Sequence, residues 1–478
     1  MDTPLLDALK QSARKIHSAF YAPGHKQGKG SSAEILELLG TSVFSADLPE
    51  LPELDNLFAP SGAIEQAQQL ASQTFGAERT WFLINGSTCG IMAGILAVCG
   101  EGDKIILPRN IHQSAIAGLI LSGAIPIFIA PEYDARARLA YNVTPDAIQQ
   151  ALIEHPDAKA VMMLHPTYQG ICSNLKAIAD MTHRYDLPLL VDEAHGAHFA
   201  FNDRLPPSAL SVGADLTVQS THKVLSAMTQ ASMLHIQGNR ICPQKISKAL
   251  GLVESTSPSY LLLASLDAAR HQMATKGKEL MDQTIDLAIK ARSQIASIPN
   301  LSILNPNIEL SDRFDLTRLT IDVSQLGITG FEADEILHQQ FKVTCELPSL
   351  ERLTFIISLG NTPQDIKNLI QACKNLPQSP NFPISQFPHL PISLSPSSPV
   401  SPRQAYFAPT KTISIDKAGD RLCGELICPY PPGIPLLMPG EIITTEAIAY
   451  LQQIVAAGGT ITGCNDPTLQ TIQTIKLN

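Results

Sequence analysis

The chain has 478 residues, 44% of them hydrophobic and 5% aromatic, with a formal net charge of −10 at pH 7. That length sets an expectation of two or three domains around at least one large core, and the composition is ordinary for a soluble globular enzyme. The acidic balance argues against nucleic acid or an anionic membrane as the main partner, while leaving room for a local basic pocket.

In chain order, residues 1–60 form a segment of mixed character that wraps a larger body. It begins Met1-Asp2-Thr3-Pro4, without the basic and then apolar run of a signal peptide. It carries Tyr21-Ala22-Pro23-Gly24-His25-Lys26 and an acidic stretch over 47–55. From 61 the pattern becomes regular. Helical spacing over 63–75 leads to a strand at 80–84, a Gly/Ser/Thr turn at 85–88 and an apolar helix over 89–98. Strands follow at 104–107, 125–129, 160–164, 187–191 and 215–219, most of them separated by helical segments such as 173–185. The long uncharged stretch 115–131 is broken by Gly118, Ser122, Gly123 and Pro126, so it reads as helix, turn and strand and not as a membrane span. Strands alternating with helices predict an α/β fold with a mostly parallel central sheet covered on both faces, spanning 61–265.

A long helix over 259–296 leads into a smaller α/β domain, 266–374, with strands at 318–323, 342–346 and 353–358. Residues 375–404 hold eight prolines and many serines and read as a linker. A C-terminal domain, 405–478, regains apolar content and carries Pro429-Tyr430-Pro431-Pro432-Gly433-Ile434-Pro435. The nine cysteines are an odd number and include no Cys-x-x-Cys pair, which fits a reduced cytoplasmic protein better than a disulfide scaffold or a zinc site.

In open α/β sheets, ligands bind at the carboxyl ends of the strands. The polar groups Asn85-Gly86-Ser87-Thr88, His112, Thr167-Tyr168, Asp192 and His222-Lys223 all fall just past predicted strands. Lys223 lies between the apolar runs 216–218 and 224–228, where partial desolvation favours a neutral, nucleophilic amine. Most lysines are surface residues, but Asp192 stands 31 positions earlier at the end of another apolar strand. A lysine amine and a carboxylate at strand ends are what pyridoxal phosphate needs: the amine for a Schiff base with the aldehyde, the carboxylate to keep the pyridine nitrogen protonated. Asp192 alone would read equally well as a helix cap or a salt-bridge partner. The turn at Ser87 and Thr88, opening an apolar helix, offers backbone amides to a phosphate, with Ser220 and His222 as added donors. Gly-Ser-Thr turns also cap helices that bind nothing. His112 is suited to stack on the ring, although a lone histidine after a strand is more often structural. His195 and His198 support the Asp192 loop or bond cofactor or substrate; a metal on this pair has compatible spacing, lacks a further ligand set and leaves Lys223 unexplained.

These motifs resemble the fold-type I pyridoxal-phosphate enzymes, and among them the Orn/Lys/Arg decarboxylases of the bacterial type. The resemblance runs through Pro23-Gly24-His25-Lys26, Leu54-Asp55-Asn56-Leu57, Asn85-Gly86-Ser87-Thr88, Arg109-Asn110-Ile111-His112-Gln113-Ser114 and His165-Pro166-Thr167-Tyr168-Gln169-Gly170. It continues through Asp192-Glu193-Ala194-His195-Gly196-Ala197-His198, Ser220-Thr221-His222-Lys223 and Thr256-Ser257-Pro258-Ser259-Tyr260 to the proline-rich tail with Pro439-Gly440-Glu441, which general aminotransferases do not share.

The resemblance implies an aspartate-aminotransferase-like fold and pyridoxal 5'-phosphate as cofactor. It implies a Lys223 attachment point, Asp192 on the ring nitrogen, His112 on the ring face, and Ser87, Thr88, Ser220 and His222 on the phosphate. His195 lies near the reacting carbon, and the proton for that carbon comes from Lys223 or a nearby histidine. The implied reaction is decarboxylation of a basic L-amino acid in polyamine biosynthesis. Arginine to agmatine is favoured over lysine to cadaverine and ornithine to putrescine. The short form, without the family's receiver-like N-terminal domain, implies a homodimer or dimer-based assembly.

Holding a basic side chain calls for acid. Glu346 is one candidate, with a solvated strand-end glutamate as the equal alternative, and Glu53, Asp55 and Glu441 are weaker ones across a subunit interface. Two rivals stand beside this reading. An aminotransferase or α-oxoamine synthase would use Arg352 to grip the α-carboxylate. A non-catalytic protein on the same fold would be expected to have lost Lys223, Asp192 or His112, and all three are present.

Overall fold

The computed structural model describes residues 2–134, 139–305, 314–377 and 400–476. They divide into two compact units: Met1–Ala97 with Leu190–Asp203 and Pro207–Met281, and Val98–Leu189 with Arg204–Pro206 and Asp282–Asn478.

In the first unit the strands Arg79–Leu83, Ser232–Ile236, Leu216–Gln219 and Leu189–Asp192 lie side by side in that order. The last two are parallel, while Ser232–Ile236 runs antiparallel to both its neighbours. Helix Gly86–Val98 has no polar face because strands press against it. A Cβ on Gly90 would meet Leu83 Cδ1 at 2.7 Å and Val218 Cγ1 at 2.8 Å, so only glycine lets the helix lie this close to the sheet. The N-terminal segment is helical at Pro4–Ala13, turning Leu5 and Leu9 into the core. Its first turn has no cap of its own. The buried Asp267 carboxylate takes that role, accepting the Leu5 and Leu6 amides at 3.0 and 3.2 Å. Asp55 does the same for helix Ala63–Phe75, accepting the Gly62 amide at 2.7 Å and the Ile64 amide at 3.0 Å.

In the second unit the strands Ala160–Leu164, Lys104–Pro108 and Ile125–Ile129 are all parallel, with Lys104–Pro108 in the middle. A separate four-stranded antiparallel sheet, in the order Ser302–Ile303, Arg318–Asp322, Arg352–Ile356, Leu347–Pro348, packs its own core of Leu319, Ile321, Leu353 and Phe355 against helix Pro363–Lys374. The C-terminal part pairs Thr410–Ser414 with Thr471–Ile475 and Cys428–Tyr430 with Thr460–Thr462, around helix Thr445–Ala456.

Ile125–Ile129 and Ala160–Leu164 match the predicted strands to the residue, and the predicted helix over 259–296 is Tyr260–Ile295. Two expectations need correction. Residues 342–346 are not a strand: a wide π turn at Leu337–Phe341 ends on Lys342 in the left-handed region (φ 57°), and pairing starts only at Leu347. Strand Ser232–Ile236 was missed. It is wholly buried and short, so it shows neither alternation nor length. The predicted linker 375–404 falls mostly outside the described residues; from Pro402 it is helix, capped by Ser401. No described helix is long and apolar enough to cross a membrane.

Candidate active site

Asp192 ends the strand Leu189–Asp192 and is 3% exposed. Its Oδ1 accepts the Ala194 amide at 3.1 Å. Burial pushes its acidity down, raising its pKa, and the Lys223 charge and the Ala194 amide pull the other way. Lys223 sits past the next strand, in the single helical turn Thr221–Val224. Its amide donates to Ser220 O at 3.0 Å, and its Nζ lies 3.1 Å from His195 Nε2. The turns after two adjacent parallel strands thus bring an amine, an imidazole and a buried carboxylate into electrostatic contact.

Ser220 Oγ donates to Ser87 Oγ at 2.9 Å, which ties the start of the Lys223 turn to the start of helix Gly86–Val98. His222 Nδ1 is 2.9 Å from Ala231 O. A carbonyl only accepts, so Nδ1 carries a ring proton, and burial lowers the pKa of the imidazole. Thr88 is exposed on the first helical turn. A buried carboxylate beside an ammonium fits a ring cation, and two hydroxyls at a helix start fit a phosphate. The donor set therefore suits pyridoxal phosphate.

Residues that the sequence reading did not single out stand behind this surface. Glu193, fully buried, accepts the Ala209 amide at 2.7 Å and the Gln219 side-chain amide at 2.7 Å, and burial pushes it up to about 8. Gln219 Oε1 accepts from His235 Nε2 at 3.2 Å, and His235 Nδ1 is 2.8 Å from Thr80 Oγ1. Burial pushes His235 down to about 3. Glu254 accepts the Ile84 amide at 2.6 Å, just before the Ser87 turn, and burial pushes it up to about 7. Glu193 is adjacent to Asp192 in sequence, which was its only visible signal. Glu254 is a charge directly after the amphipathic helix Pro243–Val253.

Asp192, His195, Ser87, Thr88, Ser220, His222 and Lys223 share the first unit; His112 and Glu346 belong to the second. His112 caps helix Gln113–Ser122, its Nδ1 accepting the Ser114 amide at 3.2 Å. The C-terminal proline loop is tied to the same strand end. Arg109 donates to Pro435 O (2.7 Å), to Leu436 O (3.0 Å) and to both Glu441 oxygens (3.1 and 3.0 Å). Tyr168 OH donates to Pro432 O at 2.8 Å, and the Gln113 amide to Gly433 O at 3.1 Å.

Glu346 is exposed and lines a cavity of about 300 Å³ with Lys342, Asn361 and Asp365. The weaker acidic candidates have internal partners: Glu441 is ion-paired to Arg109, Asp55 caps a helix, and Glu53 binds Lys15 and Ser12. Arg352 pairs with Asp322 at 3.0 Å and approaches Glu351 at 3.7 Å. Among the described residues no group of three or more His, Cys, Asp or Glu is arranged to hold a metal.

Two family models match the chain. Residues 3–375 match "Orn/Lys/Arg decarboxylase, major domain", and residues 393–468 match "Orn/Lys/Arg decarboxylase, C-terminal domain". The chain is similar to an arginine decarboxylase of Bacillus subtilis (strain 168), 38% identical over 480 residues, covering 99% of this chain and 98% of that one. It is similar to an arginine decarboxylase of Bacillus anthracis, also 38% identical, covering 99% and 97%. Among solved structures, a lysine decarboxylase of Francisella novicida superposes with a TM-score of 0.82 over 99% of this chain and 81% of that one. At 23% identity this likeness speaks for the fold alone.

Proposed function

The chain belongs to the Orn/Lys/Arg decarboxylase family, and on that premise we propose that it removes the α-carboxylate of a basic L-amino acid with pyridoxal 5'-phosphate as cofactor, arginine to agmatine being the favoured reaction. The observation that carries the proposal is the contact of Lys223 Nζ with His195 Nε2 at 3.1 Å beside the buried Asp192. The choice of arginine is supported by the names of the Bacillus relatives.

When bound, the cofactor would supply a protonated pyridine ring as the electron sink that decarboxylation at Cα needs. Asp192 holds the proton on the ring nitrogen. Its burial makes a lone carboxylate unfavourable, so a cation facing it is stabilised. Ser87, Thr88, Ser220 and His222 hold the phosphate. Lys223 supplies the amine to which the cofactor attaches, and His112 the flat face against the ring. Once CO2 has left, a proton must reach Cα. Lys223 Nζ and His195 Nε2 are already in hydrogen-bond contact and are the pair that holds it. Glu346 is the candidate for the basic end of the substrate, standing exposed at the rim of its cavity.

The neutralisation of Arg352 by Asp322 and Glu351 counts against the aminotransferase reading, which needs a cation for the substrate carboxylate. A homodimer or dimer-based assembly is supported by apolar side chains left exposed near the N-terminus, Ile16, Phe20 and Leu38. A reducing, cytoplasmic setting is supported by nine cysteines without a disulfide.

The test is release of labelled CO2 from carboxyl-labelled arginine, lysine and ornithine, with pyridoxal phosphate present, by the wild type and Lys223→Ala. Release from one substrate, lost in the variant, supports both reaction and specificity. A yellow protein that releases none from any of the three, and instead forms a 2-oxo acid, overturns the decarboxylase reading.

A further inference from the structure

The proline-rich tail motif is left without a role by the chemistry above. Its placement gives it one. Gly433, with φ 82°, sits against the Nε2 edge of His112: a Cβ built there would lie 3.3 Å from His112 Nε2, 3.5 Å from its Cδ2 and 3.2 Å from Gln113 Nε2. The other edge of the ring is fixed from its own chain: Nδ1 takes the Ser114 amide at 3.2 Å and lies 2.8 Å from Ser114 Oγ, which leaves the Nε2 edge turned towards Gly433. The loop is held there by groups from two strand-end turns: Arg109 on Pro435 O and Leu436 O, the Gln113 amide on Gly433 O, and Tyr168 OH on Pro432 O. Arg109 is in turn fixed by Glu441, six residues downstream in the same tail and 3% exposed.

We infer that the C-terminal loop 430–435 is the positioning element of the His112 ring, with Gly433 as its contact and the Arg109–Glu441 pair as its anchor. The inference rests on the reading that His112 packs on the cofactor ring. It also explains why the tail motif accompanies Arg109-Asn110-Ile111-His112-Gln113 in this chain: each half is the other's support. Gly433 is a positioning residue, since it acts through the imidazole and not on substrate.

The test is a double-mutant cycle on the holoenzyme, using His112→Ala, Gly433→Ala and the double variant. The readouts are the pyridoxal phosphate dissociation constant, measured by protein fluorescence, and the visible circular dichroism of the bound cofactor. Gly433→Ala is expected to weaken cofactor binding about tenfold and to change the dichroism in the wild-type background. It should change binding by less than about twofold once His112 is alanine, the two residues being coupled. Equal losses in both backgrounds overturn the inference, because the glycine would then act through the fold. A Gly433→Asn variant separates strain from contact. Asparagine tolerates a positive φ but keeps the Cβ, so it should be as impaired as alanine, and full recovery would overturn the role of the contact. If Gly433 variants fail to fold, Tyr168→Phe removes one loop anchor without touching the ring. It should shift the dichroism in the same direction, and an unchanged signal counts against the inference. No effect of His112→Ala on either readout removes the reading of His112 and the inference with it. An effect of His112→Ala without coupling removes the inference alone.

Discussion

Asp192 and Glu441 are both carboxylates sealed from solvent, 3% exposed each, yet their surroundings differ. Glu441 meets Arg109 through two charge-assisted hydrogen bonds and takes the Met438 amide as well, at 2.8 Å. Among the described residues the Asp192 carboxylate accepts from the Ala194 amide and has Lys223 as its charged neighbour. In both, burial works to raise the pKa and a cation works against it. A carboxylate with a full set of internal partners holds a loop in place. One kept dry with few partners has capacity left for a cation that arrives with a ligand. The contrast separates the Asp192 and Lys223 pair from the anchored tail, and it can be tested at both ends.

The largest effect is expected at Lys223. Lys223→Ala should reduce decarboxylation to background and abolish the visible absorbance of the bound cofactor, read by labelled CO2 release and a simple spectrum; residual turnover near wild type would show that another amine serves. Next comes Glu441→Ala, which strands the buried Arg109 guanidinium and should destabilise the fold by about 3–5 kcal/mol in urea denaturation. A loss below about 1 kcal/mol would mean that the pair is better solvated than its burial implies. Asp192→Asn should behave the opposite way. Without cofactor the protein should be as stable as wild type or more so, because a buried charge has been removed, while kcat falls by about 10²–10³-fold, the scale of losing one electrostatic group in a closed site. Equal destabilisation by both variants would erase the distinction between the two carboxylates.

A smaller, pH-dependent effect belongs to the residues behind the site. Burial holds His235 down from 6.5 to about 3, so below pH 6.5 the unfolded chain takes up a proton that the folded chain refuses. Its contribution to stability therefore falls as the pH drops from about 6.5 towards 3, and His235→Asn should flatten that limb of a melting-temperature profile. Glu193 runs the other way. Raised from 4.5 to about 8, it keeps its proton in the fold after the unfolded chain has lost it, and stability declines as the pH rises through that interval. A profile without an acid limb in the wild type would mean that His235 is charged in the fold. The smallest effect is expected at the exposed pair Lys176–Asp180, whose removal should leave the melting temperature unchanged in the same melts.

Much of this was legible in the residues. Lys223 and Asp192 could be found because each follows a short apolar run, and apolar runs report buried strands. The turn at Ser87 was legible as a helix start from its glycine and hydroxyls just before an apolar run, and Ser220 Oγ meets it at 2.9 Å. What stayed hidden has a common physical cause: partners far apart in sequence. Nothing near Arg109 says that it will bind Glu441, 332 positions on, and nothing near His112 points to Gly433. Glu346 shows the converse. Its expected strand end is a turn, because the wide helical turn before it places Lys342 in the left-handed region and delays pairing to Leu347. Strand Ser232–Ile236, buried on both faces and antiparallel within its unit, lacked the alternation that betrays a half-buried strand.

The polar file from Thr80 through His235 and Gln219 to Glu193 has a further consequence. Each link fixes the direction of the next: Gln219 gives its amide hydrogens to Glu193, so its oxygen faces His235, whose Nε2 must carry hydrogen. That imidazole N–H is fully dehydrated and hydrogen-bonded, so its proton resonance should appear well downfield and persist in heavy water. It is a built-in clock for how often the sheet beneath the Lys223 turn breathes, readable by NMR without any label.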